Sequence, residues 1–103
     1  MIIGVDIDGT ICEEQDNFFK LSIPELIEYY KTAVPDEKAI GLVNELATAG
    51  NTIRMVTARS DVFREATVLW LKNNQVEYDD LVMGVPFCDM YIGDNYYGKE
   101  KLL

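Results

Sequence analysis

Three short strand-like runs, each stopping at a polar residue, constrain this chain more than anything else in it. Residues 2 to 6 end in Asp6 with Asp8 just beyond, residues 52 to 56 stop at Thr57, and residues 90 to 92 at Gly93 and Asp94. Brief apolar runs rich in β-branched side chains and closed by turn residues read as strands. The first suits a strand buried on both faces, in the middle of a parallel sheet. A fourth short strand is expected over 81 to 83.

Helical patterns fill the gaps. Residues 22 to 31 open on Ser22 with Glu25 three positions on, a capping box; Pro24 is tolerated in the first turn, and Leu26, Ile27 and Tyr30 share a face. Residues 36 to 49 place Ile40, Val43, Leu46 and Ala47 at helical spacing, with Asp36 and Glu37 at the positive end and Gly50 as the stop. Residues 61 to 73 turn Phe63, Ala66, Leu69 and Trp70 inward. Residues 13 to 21 read as a polar loop anchored by Phe18 and Phe19.

The alternation predicts one α/β domain over 1 to 103: a three-layer, Rossmann-like fold with a short, mainly parallel sheet. A chain of 103 residues leaves little room for a second domain, and a hydrophobic share of 49% supports a packed core without disulfide or metal staples. In open parallel sheets ligands bind beyond the carboxyl ends of the strands. Asp6, Asp8, Thr57 and Asp94 are therefore expected to meet at one edge, although they are distant in sequence.

Composition removes several functions. Nine basic against eighteen acidic residues give a net charge of −9, which repels nucleic acid and anionic membrane surfaces. Without histidine, Ser-His-Asp and Cys-His catalysis and the commonest zinc ligand are missing, so carboxylates must supply any acid, base or nucleophile. Cys12 and Cys88 lie far apart and outside metal-ligand spacing, as expected of reduced thiols in a cytoplasmic protein. The apolar start lacks a basic leader and is too short to span a bilayer.

Carboxylates crowded at a strand edge repel one another unless a cation joins them. A hard divalent ion with oxygen ligands solves this, and Mg²⁺ fits because it takes few carboxylates and keeps positions for water and phosphate oxygens. The expected ligand is a phosphorylated small molecule or a larger phosphorylated substrate.

Asp6-Ile7-Asp8-Gly9-Thr10, directly after the first strand, resembles the DxDGT signature of the haloacid-dehalogenase superfamily. The resemblance runs almost the length of the chain and implies a capless phosphatase with Asp6 as nucleophile and Asp8 as general acid and base. It also implies a Mg²⁺ held by Asp6, the Asp8 carbonyl and Asp94, with Asp89 as a second acidic candidate. Gly9 and Thr10 would help to stabilise charge on phosphate. Thr57-Ala58-Arg59 resembles the second motif, in which the threonine hydroxyl and the next amide hold a phosphate oxygen and Arg59 touches substrate. The family's third motif is a lysine; here Val85 stands before Pro86, and Lys72 is the candidate substitute. Small members acting on sugar phosphates in capsule and polysaccharide biosynthesis are the subgroup most resembled. A capless site suits a phosphate on a large or extended molecule, or a substrate enclosed by a second copy of the chain.

Three competing readings fare worse. Gly93 to Lys99 fits GxxxxGK, but Glu100 stands where a P-loop needs Ser or Thr. A phosphorelay receiver carries its phosphorylated aspartate on a middle strand, the reverse of the order here. A phosphate- or metal-binding module without turnover remains the alternative to an enzyme, because the motif lysine is missing.

Overall fold

The computed structural model describes residues 1 to 14 and 20 to 85. The chain forms β1 (Ile2–Asp6), α1 (Ile23–Thr32), α2 (Glu37–Thr48), β2 (Thr52–Val56), a 3-10 turn (Asp61–Phe63) running into α3 (Arg64–Asn73), and β3 (Asp80–Val82). The strands make an open, parallel, three-stranded sheet in the order β1-β2-β3. This is the small Rossmann-like α/β arrangement that the alternation predicts, and no cap occurs among the described residues.

Register decides which side chains reach the core. Ile3 pairs with Ile53, and Val5 with Met55, which in turn pairs with Leu81. These residues share one sheet face. They pack there with Ile40 and Val43 of α2 and with Trp70 and Leu71 of α3. Helix α1 lays Leu26 and Tyr30 against Phe63 and Ala66 at the start of α3. All three described helices thus belong to one side, and no helix covers the other sheet face among the described residues.

The opposite face corrects the expectation for β1. Ile2 is 62% exposed, so the first strand is not buried on both sides along its length; β2 is the middle strand of those described.

The helix starts are built as the sequence implies. Ser22 Oγ accepts from the Glu25 amide at 3.3 Å while Glu25 Oε1 accepts from the Ser22 amide at 2.8 Å, closing the capping box. Asp36 Oδ1 accepts from the Ala39 amide at 3.0 Å and starts α2. Replacing that cap, Asp36→Ala, is expected to cost about 1 kcal/mol. Urea unfolding should show the loss as a lower midpoint with an unchanged slope.

Helix α3 departs from the predicted phase. Leu69 is 39% exposed, whereas Thr67 and Leu71 are fully buried. The stripe runs Phe63, Ala66, Thr67, Trp70, Leu71, an i, i+3, i+4, i+7, i+8 pattern that leaves position 69 outside it. β3 begins at Asp80, one residue before the expected start. The expected strand over 90 to 92 and the Phe18 and Phe19 anchor lie outside the described residues.

Candidate active site at the strand ends

The site begins where β1 ends. Ile7 is completely buried, and its carbonyl accepts from the amides of Thr10 and Ile11, each at 3.0 Å, and from the Cys12 thiol at 3.7 Å. This turn throws the side chains of Asp6 and Asp8 off the sheet edge. Gly9 sits within it at φ +81°, a backbone conformation that strains any residue with a Cβ. The Gly9 amide donates to the Cys12 carbonyl at 3.0 Å. The amides of Gly9 and Thr10 are therefore engaged within the turn itself, each on a backbone carbonyl.

Asp6 opens to solvent, and the Thr10 hydroxyl donates to its Oδ2 at 3.5 Å. Its pKa is nonetheless raised above 3.8, chiefly because the surrounding chain desolvates the carboxyl group. The Ile7 amide opposes this; the negative charges of Asp8 and Glu14 add to it, and Thr10 opposes it again.

A raised folded-state pKa has a definite sign. Just above pH 3.8 the folded chain keeps a proton that the unfolded chain has released, so stability falls as pH rises through that interval and stays lower above it. Asp6→Asn is therefore expected to melt higher than the wild type near neutral pH in metal-free buffer. The gain should vanish in acid below pH 3.8, and thermal melts across pH check it.

Asp8, by contrast, is paired with a cation. Arg59 Nε donates to its Oδ2 at 3.0 Å and Nη2 to its Oδ1 at 2.7 Å, a two-pronged pair. Arg59 Nη1 donates to Thr67 Oγ1 at 2.9 Å, and the guanidinium carbon lies 3.8 Å from the centre of the Tyr30 ring. The Thr67 hydroxyl in turn donates to the Phe63 carbonyl at 2.8 Å. Burial and the Asp8 charge push the nearby Cys12 thiol up to about 12, so it is an inert, buried small side chain. Burial likewise raises the pKa of Tyr30.

The second segment follows β2. Thr57 is buried, and its hydroxyl accepts from the Arg59 amide at 3.1 Å, leaving the hydroxyl proton for another acceptor. The Gly84 amide donates to the Arg59 carbonyl at 2.8 Å and the Val85 amide to the Thr57 carbonyl at 3.0 Å. These bonds stitch residues 57 to 59 to the chain leaving β3. Val85 thereby stands beside the second motif. Among the described residues the amides of Asp8 and Ala58 have no hydrogen-bond partner.

Asp6, Asp8, Thr57, Ala58 and Arg59 are thus brought to one edge, with Gly9 and Thr10 in the turn. Lys72 is not. It is exposed in the last turn of α3, where the chain heads for the amino end of β3, so the helix carries it away from the carboxylates. This removes Lys72 as the substitute lysine. Asp89 and Asp94 lie outside the described residues. Tyr30 and Thr67 were missed as partners of Arg59, although a threonine on an apolar helical stripe is a readable signal.

No group of three acidic or cysteine side chains arranged for a metal occurs among the described residues. The donors that are present fit Mg²⁺ in kind: oxygen atoms only, an Asp6 whose neighbours are acidic, and an Asp8 carbonyl that accepts nothing among the described residues.

No protein-family model matches the chain, and no curated protein matches it either. Solved structures do. A crystal structure of a structural-genomics target from Vibrio cholerae is 24% identical with a TM-score of 0.67, covering 89% of this chain and 78% of that one. A chain of the Pnkp1/Rnl/Hen1 RNA repair complex is 21% identical with a TM-score of 0.64, covering 80% of this chain. The match takes in about a quarter, 24%, of that longer chain. At these identities the likeness is one of fold. No described helix is long and apolar enough to cross a membrane.

Proposed function

We propose that this chain is a Mg²⁺-dependent phosphomonoester hydrolase of the haloacid-dehalogenase type, acting through a phosphorylated Asp6. One observation carries the reading. At the carboxyl end of β1 an open carboxylate, Asp6, stands next to a second, Asp8, that is held from behind, and both adjoin Thr57 and Ala58, which offer a hydroxyl proton and an unused amide.

An Asp6 oxygen attacks phosphorus while the bond from phosphorus to the leaving oxygen breaks, and Asp8 gives that oxygen its proton. Asp8 then takes a proton from water as the water oxygen attacks phosphorus, which releases inorganic phosphate and restores Asp6. The Thr57 hydroxyl and the Ala58 and Asp8 amides donate to phosphate oxygens. Asp6, the Asp8 carbonyl and Asp94 would hold Mg²⁺, which when bound offsets the charge repulsion between carboxylate and phosphate.

No cap stands over the strand ends among the described residues, which suits a phosphate on an extended molecule or a site closed by a second copy of the chain. A sugar phosphate in polysaccharide biosynthesis, acted on in the cytoplasm, is the proposed substrate class. The charge of −9 disfavours nucleic acid and membrane partners.

A specific observation favours one second reading. Val85, bonded to the Thr57 carbonyl, puts an apolar side chain where the family resemblance calls for lysine. A module that binds phosphate without turning it over would follow from that loss. The test is release of phosphate from p-nitrophenyl phosphate: it should fall to background in EDTA and return with Mg²⁺. Saturable phosphate binding with no release at any metal concentration would establish the second reading.

A further inference from the structure

Arg59 follows Thr57 and Ala58 in a loop at the site, a place where an arginine would ordinarily reach for phosphate. Its geometry points elsewhere. Nε and Nη2 are taken by Asp8, Nη1 by Thr67, and one face of the guanidinium is covered by Tyr30. The side chain is 3% exposed, against 25% for that of Asp8. A fork already closed on a carboxylate, with its face covered, has no second fork to present to a substrate.

We infer that Arg59 is a positioning residue for Asp8, fixing the carboxylate that exchanges protons with the leaving oxygen and with water. This deepens the phosphatase reading and rests on it. Asp8 follows β1 in a tight turn, and its side chain would otherwise rotate freely about two bonds. The two-pronged pair removes that freedom, because both carboxylate oxygens must stay in the guanidinium plane. Thr67 and Tyr30 belong to α3 and α1, so the guanidinium itself is set by two packed helices rather than by the loop that carries it. A buried ion pair is a poor source of net stability, since the lost hydration nearly cancels the attraction. Holding a reacting group is a better account of its presence. A misplacement of about 1 Å at such a group costs on the order of 100-fold in rate.

The test compares two substrates with different leaving groups. p-Nitrophenolate leaves readily without a proton, whereas the alkoxide of an alkyl phosphate needs one. Arg59→Lys keeps the charge and loses the fork. It is expected to leave KM within about twofold and to lower kcat about 100-fold on ethyl phosphate, with a loss roughly tenfold smaller on p-nitrophenyl phosphate. In an Asp8→Asn background the same change should add less than about threefold, because the residue it positions is already gone. Circular dichroism confirms folding. Should Arg59→Lys not fold, Thr67→Val is measured instead, with a smaller loss expected in the same leaving-group pattern.

Equal losses on both substrates would reduce Arg59 to a structural staple. A raised KM with kcat preserved would make it a substrate contact. Either result overturns the inference while the phosphatase reading survives. A wild type without turnover on any phosphomonoester removes both.

Discussion

Asp6→Asn is expected to cut Mg²⁺-dependent phosphate release by at least about a thousandfold, leaving a folded protein. The change replaces one oxygen by an NH₂ group of nearly the same size. The bond from the Thr10 hydroxyl can persist on the remaining oxygen, and the turn held by the Ile7 carbonyl is untouched. What disappears is the anionic oxygen that attacks phosphorus, together with one charge that draws the metal. Initial rates on p-nitrophenyl phosphate over a range of Mg²⁺ check this. Recovery of the rate at high Mg²⁺ would reduce Asp6 to a metal ligand. The same variant should melt higher than the wild type in metal-free buffer at neutral pH, the opposite of what a damaged fold would give.

The second large effect concerns the core. Trp70→Ala is expected to cost about 3–5 kcal/mol, a large part of the ~5–15 kcal/mol that holds a domain of this size together. Trp70 is 2% exposed and packs in the cluster that joins α2 and α3 to the sheet. Its indole N–H donates to the Ala33 carbonyl at 2.8 Å, tying α3 to the end of α1. The substitution removes the ring and leaves that carbonyl unpaired. Since Trp70 is the only tryptophan, the melt must be followed by circular dichroism. A drop of roughly 15 °C or more in Tm is expected, and a shift below about 5 °C would contradict this account of the core.

Much of this architecture is legible in the residues because several local signals agree. Ser22 with Glu25, Asp36 ahead of Ala39, and Gly50 at φ +99° each state where a helix starts or stops, and each governs the backbone directly. The strand runs share a direction because helical patterns separate them. Burial was harder to read. Ile2 looks like a core residue by type, but which sheet face is covered depends on where all three helices pack, a property of the whole fold. Leu69 and Thr67 show the same limit, since composition favours leucine inside whereas the Arg59 guanidinium draws Thr67 in.

The site was legible in its backbone and misread in its details. Asp6, Asp8 and Thr57 arrive together because strand ends converge, which sequence order alone implies. The partner of Arg59 does not follow from motif spacing. Asp8 and Arg59 are fifty-one residues apart, and only the pairing of β1 with β2 brings them within reach. Lys72 failed as a candidate for a related reason: a helix ten residues long delivers its last turn to the far edge of the sheet. Val85 is legible as the departure from the third motif, and its amide on the Thr57 carbonyl places it beside the site.

The central claim is that Asp6 takes the phosphoryl group. Acid-quenched protein caught during turnover of p-nitrophenyl phosphate with Mg²⁺, digested and analysed by tandem mass spectrometry, tests it most directly. Phosphate should appear on the peptide containing Asp6, fragmenting to that side chain, and be absent from Asp6→Asn. Sustained turnover with phosphate on another residue, or persisting in Asp6→Asn, would contradict it.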